Sequence, residues 1–206
     1  MMKKFVPFLL FSFIIISGCI SSGGNNRPDW VHQVNWEGDV PEDTKIETLL
    51  WEHITPYRSI EYDMVNFITT QSEDVIRVKA GSTQSPYNDI YDFSYQNGEL
   101  VMTGYLLEAI PAADRIKALD IVFSEGEEIR QIIAQSRSEP TVKRILPQTS
   151  DKFYKPKTLL SVTWQDVQVS ALVDVDTYSI VDTWSRDVEN LFFFLELFNF
   201  QFFFKA

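Results

Sequence analysis

The sequence predicts an α+β protein: short helices packed on antiparallel sheet, closing in a C-terminal three-stranded meander. Three observations lead there. Apolar residues recur at helical spacing in the stretches 44–54, 111–123 and 124–133. An Asn97-Gly98 dipeptide separates two alternating runs, which is the strongest short-range hairpin signal. From Thr158 the apolar period changes to two and stays there.

The 206 residues are 45% hydrophobic with a formal net charge of −11. That is enough chain for one compact domain of ordinary size or two small ones. It is too apolar for a disordered tail and too acidic to bind nucleic acid through general charge. The single cysteine excludes a disulfide framework and any cysteine-based zinc finger. Of 16 Phe, four lie in residues 1–18 and eight in 192–204. Only Phe67, Phe93, Phe123 and Phe153 lie between, so the core must come from Val, Ile, Leu, Trp and Tyr.

Taken in order, Trp30, Val34 and Trp36 alternate with His32 among them, which suits a short edge strand. Thr44 with Glu47 reads as a capping box, and Glu42 and Asp43 suit the positive end of a helix. Ile46, Leu49, Leu50 and Ile54 form its stripe and Pro56 its stop. Residues 59–70 fit either a helix or a strand. Residues 75–79 read as a strand, 81–88 as a loop, and 90–95 with 100–107 as the hairpin around Asn97-Gly98. Pro111 opens a helix whose stripe is Ile116, Leu119, Val122 and Phe123. Ser124 with Glu127 offers a second capping box, leading to Ile129, Ile132 and Ile133. Pro140 begins a short helical turn through Val142, Ile145 and Leu146 that Pro147 stops. In the meander, Leu160, Val162 and Trp164 share one face. Val167, Val169, Ala171, Val173 and Val175 share another, and turns fall at Gln165-Asp166 and Asp176-Thr177.

The amino terminus carries an address. Lys3 and Lys4 precede an apolar run over 5–16, too short for a comfortable membrane span of roughly 20 residues. Ile16-Ser17-Gly18-Cys19 resembles the lipobox of prokaryotic lipoproteins. The resemblance implies a signal peptide over 1–18, cleavage before Cys19 and a diacyl-type lipid on its thiol. Residues 20–29, ISSGGNNRPD, form a polar tether with a root-mean-square reach of about 16–19 Å. The expected location is the outer face of the cell membrane, held by lipid. The remaining organisation reads as 30–110, an N-terminal α+β region; 111–186, helix plus meander; and 187–206, a Phe-rich tail.

Charge divides the chain. Residues 29–74 hold 11 acids and two bases, whereas 130–157 hold seven bases and two acids. Two readings stand: ordinary solvated faces, or a basic patch of Lys143, Arg144, Lys152, Lys155 and Lys157 turned toward anionic lipid or an acidic partner.

The segment IIAQSRSEPTVKRIL followed by TLLSVTWQDVQVSALVDVDTYSIVDTWS resembles a PepSY-type module, in which a helix packs on an antiparallel sheet. Val173-Asp174-Val175-Asp176-Thr177 with Ile180-Val181 is similar to that family's VDxxTGxVV hairpin, except that Tyr178-Ser179 stand where a glycine is typical. The resemblance covers residues 126–186. It implies an extracytoplasmic module that modulates a partner.

Catalytic signatures are lacking. The chain has no G-x-S-x-G, no Ser-x-x-Lys, no H-E-x-x-H and no phosphate loop. His32 and His53, the only histidines, are 21 residues apart and lack metal-ligand spacing. Asp174-x-Asp176 begins like a calcium loop but lacks the glycine at position six and an oxygen ligand at five. The expectation is no catalytic site, no cofactor and no metal. The tail LFFFLELFNFQFFF is short for a span. It reads as a terminal element docked in the core, as a segment at a membrane interface or in a partner's groove, or as a non-native ending. The function expected is a membrane-anchored binding or modulatory module with a protein partner. The alternatives are a cell-surface hydrolase or an envelope structural component.

Overall fold

The computed structural model describes residues 27–39, 45–70, 73–96 and 98–185. The signal segment, Cys19, Thr44, Asn97 and the Phe-rich tail lie outside the described residues. The chain is α+β, with two sheets and four helices among those residues.

The first sheet contains β1 (Val31–Glu37), β2 (Tyr62–Thr70), β3 (Glu73–Gly81), β4 (Asp89–Gln96) and β5 (Glu99–Leu107), in that spatial order. β1 is an edge strand and runs parallel to β2, from Val31 opposite Tyr62 to Glu37 opposite Ile68. A parallel pair needs a crossover, and α1 (Ile46–His53) supplies it. Ile46, Leu50 and Trp51 are buried on α1 and join a core with Val65, Phe67, Val78 and Phe93. Trp51 meets Phe67 at 5.1 Å between ring centroids and Trp30 at 5.8 Å, edge-on. Lys45 occupies the N-cap of α1 without a side-chain cap, and Glu47 accepts from Trp51 Nε1 at 3.3 Å. The ambiguous stretch 59–70 is strand, with Val65 and Phe67 buried at period two. The β4–β5 hairpin closes with Gln96 opposite Glu99, and Gly98 has φ +82°, the left-handed value a primed turn requires.

The second sheet contains β6 (Thr141–Ile145), β7 (Leu159–Trp164), β8 (Val169–Asp174) and β9 (Ser179–Ser185), all antiparallel. α2 (Ala112–Glu125) and α3 (Glu127–Ile133) cover one face of it. Ala118, Ile121, Val122, Ile129 and Ile133 share a core with Val142, Val162, Trp164, Ala171 and Val173. α4 (Pro147–Ser150) is a single turn.

Four expectations need correction. Residues 140–146 are not a helical turn but a strand flanking the meander. β6 pairs with β7 from Thr141 opposite Thr163 to Ile145 opposite Leu159. Val142, Arg144 and Leu146 are buried in alternation. An isolated turn has too few hydrogen bonds to offset nucleation, whereas the ladder with β7 supplies them, and Pro147 starts α4 instead of ending a helix. The buried stripe of α2 is Ala118, Ile121 and Val122; Ile116 is 58% exposed and Phe123 49%. The helix carries two overlapping stripes, and the one made by Ala118, Ile121 and Val122 is the one packed in the core with the second sheet. Ser124 caps nothing: it lies in the last turn of α2 and donates to the Ile121 carbonyl at 3.1 Å. Val167 belongs to the four-residue turn before β8 rather than to the strand.

Candidate functional site

The β8–β9 turn is built around Asp174. Its Oδ1 accepts the backbone N–H of Asp176 at 3.0 Å and of Thr177 at 3.2 Å, and both its oxygens accept from Lys157 Nζ at 2.7 Å. Lys157 also reaches Asp176 at 3.2 Å. An ammonium group therefore sits where the Asp174-x-Asp176 spacing suggested a cation. Burial pushes the Asp174 carboxyl up, but Lys157 and the two N–H donors outweigh it and hold the carboxyl below its ordinary value. Arg58, with φ +48°, bridges Asp176 and Asp114 of α2, at 3.2 Å to the latter. The turn is thus tied to α2 and to the segment after α1.

Tyr178 follows, at the position where the resembling hairpin carries glycine, and its φ is +54°. A left-handed conformation costs a non-glycine residue roughly 1–2 kcal/mol. Burial does not offset that cost, because Tyr178 is 59% exposed. Lys117 Nζ lies 3.8 Å from the ring centroid, a cation–π contact of about 0.5–1 kcal/mol at an exposed site. Gln168, at the end of the β7–β8 turn, holds the same left-handed conformation at φ +51°, so what sets Tyr178 apart is its exposed ring and the Lys117 contact.

Between Tyr178 and α2 lies an open groove of about 380 Å³, lined by Ala113, Ile116, Lys117, Asp120 and Ser124 among others. Glu125 at its end accepts the Ile180 N–H at 3.1 Å, fastening β9 to the helix. Further along the helix, Phe123 stands edge-on to Trp164 with ring centroids 6.0 Å apart. Ile116, Phe123 and Tyr178 are all about half exposed, and Lys117 and Asp120 flank them with opposite charges. The face therefore combines half-exposed apolar side chains with charged groups of both signs.

The basic patch does not assemble. Arg144 is 3% exposed, so it is an interior residue, and Lys143 lies on the opposite side of β6. Lys157 is committed to Asp174 and Asp176. Lys152 and Lys155 are exposed beyond α4, Lys155 over the Tyr154 ring at 5.4 Å. Local pattern could not show this, because Asp89, the partner of Arg144, is 55 residues away. His32 faces Glu61 at 3.1 Å and Asp63 at 3.4 Å, and exposed His53 lies 5.9 Å from the Phe93 ring. Among the described residues no group of His, Asp and Glu is placed to hold a metal ion.

Arg144 instead joins the two sheets. Its Nη2 donates to Asp89 at 3.0 Å and to the Tyr91 hydroxyl at 2.8 Å. Asp89 also accepts from the Tyr62 hydroxyl at 2.6 Å and from the Ala109 N–H at 2.8 Å, and Tyr91 donates to the Thr55 carbonyl at 2.9 Å. Burial pushes the Asp89 carboxyl up from its ordinary value, against the pull of Arg144, Tyr62 and Ala109. Asp89, Tyr62 and Tyr91 are fully enclosed, so this cluster acts on the fold and not on a ligand.

Comparisons with protein-family models, with curated proteins and with solved structures return no match to this chain. Helical spacing assigns Ile116 of the groove, and Phe123 beyond it, to the core stripe of α2, and the sequence marks Tyr178 only as a departure from the glycine of the hairpin.

Proposed function

We propose that this chain is a lipid-anchored extracytoplasmic protein that binds another polypeptide through the α2–Tyr178 face. The lipobox-like Ile16–Cys19 motif and the polar tether support the anchor. The observation that carries the binding role is Tyr178, a left-handed, half-exposed aromatic that lines an open groove of mixed apolar and charged character beside exposed Ile116. The PepSY-type resemblance of residues 126–186 points to the same hairpin and to modulation of a partner.

A photo-cross-linking residue at position 116 tests this in the anchored chain in intact membranes. The reading expects a discrete polypeptide adduct from position 116 and none from position 79, an exposed site on β3 of the first sheet. Equal or absent adducts from the two positions overturn it.

A further inference from the structure

We infer that the polypeptide segment taken by the α2–Tyr178 face is basic and apolar: a lysine or arginine set against Asp120 and Glu125, next to an apolar residue that lies on Ile116 and the Tyr178 ring. The inference rests on reading that face as a docking surface and names the chemistry of the segment it takes.

The groove has a direction. Ala113, Lys117, Asp120 and Ser124 line it at three- and four-residue spacing, so they follow one another along one side of α2. From Ala113 to Ser124 the helix rises about 16 Å, the length of roughly five extended residues. Ile116, Lys117 and Tyr178 mark one end, and Asp120, Ser124 and Glu125 the other. The first end offers apolar surface, since Ile116 and Tyr178 are both more than half exposed.

The second end offers negative charge. Lys117 stands one turn before Asp120, close enough on a helix to pair with it, but its ammonium lies 3.8 Å from the Tyr178 ring centroid instead. Among the described residues neither Asp120 nor Glu125 enters an ion pair. Glu125 gives one oxygen to the Ile180 N–H at 3.1 Å, and a carboxylate has a second to offer. A helix is negative at its carboxyl end and favours a cation there, yet the last turn of α2 carries no base. Arg130 of α3 donates to the Ser124 carbonyl at 3.1 Å and pairs with neither carboxylate. Two carboxylates at the negative end of the helix therefore lack a cationic partner, and a lysine or arginine of the incoming segment supplies one. Lys117 repels a second cation at the first end, so the base goes to Asp120 and Glu125 and the apolar side chain to Ile116. The net charge of −11 on the whole chain draws a basic segment in.

Photo-cross-linking from position 116 tests this with the full lipidated chain in phosphatidylcholine nanodiscs. The probes are two short acetylated peptides, one alternating leucine with lysine and the other leucine with glutamate. The lysine peptide should label the parent several-fold more than the glutamate peptide, the margin that two exposed ion pairs supply. The full-length variant D120N/E125Q should lose that preference. The amide that replaces Glu125 keeps an oxygen for the Ile180 N–H, so the attachment of β9 to α2 is retained. The variant E139Q/D151N removes two exposed carboxylates that do not line the groove, and it should keep the preference. Equal labelling by the two peptides, or labelling by neither, overturns the inference. So does a preference that survives D120N/E125Q, or one that E139Q/D151N abolishes as well, which indicates attraction to net charge alone. If another polypeptide is captured from position 116 in intact membranes with equal yield in the parent and in D120N/E125Q, the docking reading stands and this inference fails.

Discussion

Replacing Arg144 by methionine should cost about 3 kcal/mol of stability at neutral pH. Methionine keeps the apolar stem of the side chain, though it ends two atoms short of the arginine nitrogens, so the packing of the stem between β6 and the first sheet changes little. What disappears is the guanidinium that donates to Asp89 at 3.0 Å and to Tyr91 at 2.8 Å. The carboxylate remains enclosed, with the Tyr62 hydroxyl and the Ala109 N–H as its remaining close donors. Removing one partner of a buried pair typically costs 3–5 kcal/mol. The two surviving donors place this case at the lower end, still a large part of a total near 5–15 kcal/mol. Urea unfolding followed by tryptophan fluorescence reads the change as a lower midpoint with an unchanged slope. The double variant D89N/R144M should recover most of the loss, since no buried charge is then unpaired. The pH dependence has a defined sign. Burial raises the Asp89 carboxyl in the folded state above its unfolded value near 3.9, and without Arg144 that rise has less opposition. The variant is therefore most stable below the unfolded value and loses stability as pH rises through the folded one. Its deficit against the parent should shrink between pH 7 and pH 4. A loss below about 1 kcal/mol at pH 7, or a deficit that stays constant with pH, refutes the role assigned to Arg144.

Three further outcomes follow from individual residues. Gly126→Ala would put a methyl 2.5 Å from the Val122 carbonyl and against Ile129, so thermal unfolding should show a loss of about 1–3 kcal/mol. Gln168→Gly should stabilise by up to about 1 kcal/mol in the same assay, because Gln168 is exposed and held at φ +51° without the ring contacts of Tyr178; a loss would show that the side chain does unseen work. Asp166 is held well below the usual carboxylate range by the Arg137 N–H and the Ser138 and Ser136 hydroxyls. Its contribution is present above the unfolded value near 3.9 and is lost only as pH falls further, toward the folded one. Amide exchange should therefore show residue 137 still protected at pH 4 in the parent and exposed in Asp166→Ala.

The sequence disclosed what local pattern controls. The meander was legible because its apolar period is two over three successive runs, and the β4–β5 hairpin because Asn97-Gly98 prescribes the turn. β6 was hidden because Pro140 and Pro147 bracket it and five residues are too few to separate the two periods. The parallel β1–β2 pair was hidden because its register depends on a partner 31 residues away, across α1. The exposed face of α2 was hidden for a different reason. A helix with two overlapping apolar stripes does not announce which one the sheet will take, so Ile116 and Phe123 were counted as core. Arg144 shows the same limit for charge: a base within a basic run reads as surface until its distant carboxylate is known.

Mass spectrometry of the amino-terminal peptide, taken from protein isolated in its own membrane, tests the lipid-anchored reading most directly. The predicted result is a peptide that begins at Cys19 and carries a diacylglyceryl group on the thiol, absent in Cys19→Ser. A peptide that begins elsewhere, or a Cys19 with a free thiol, contradicts it.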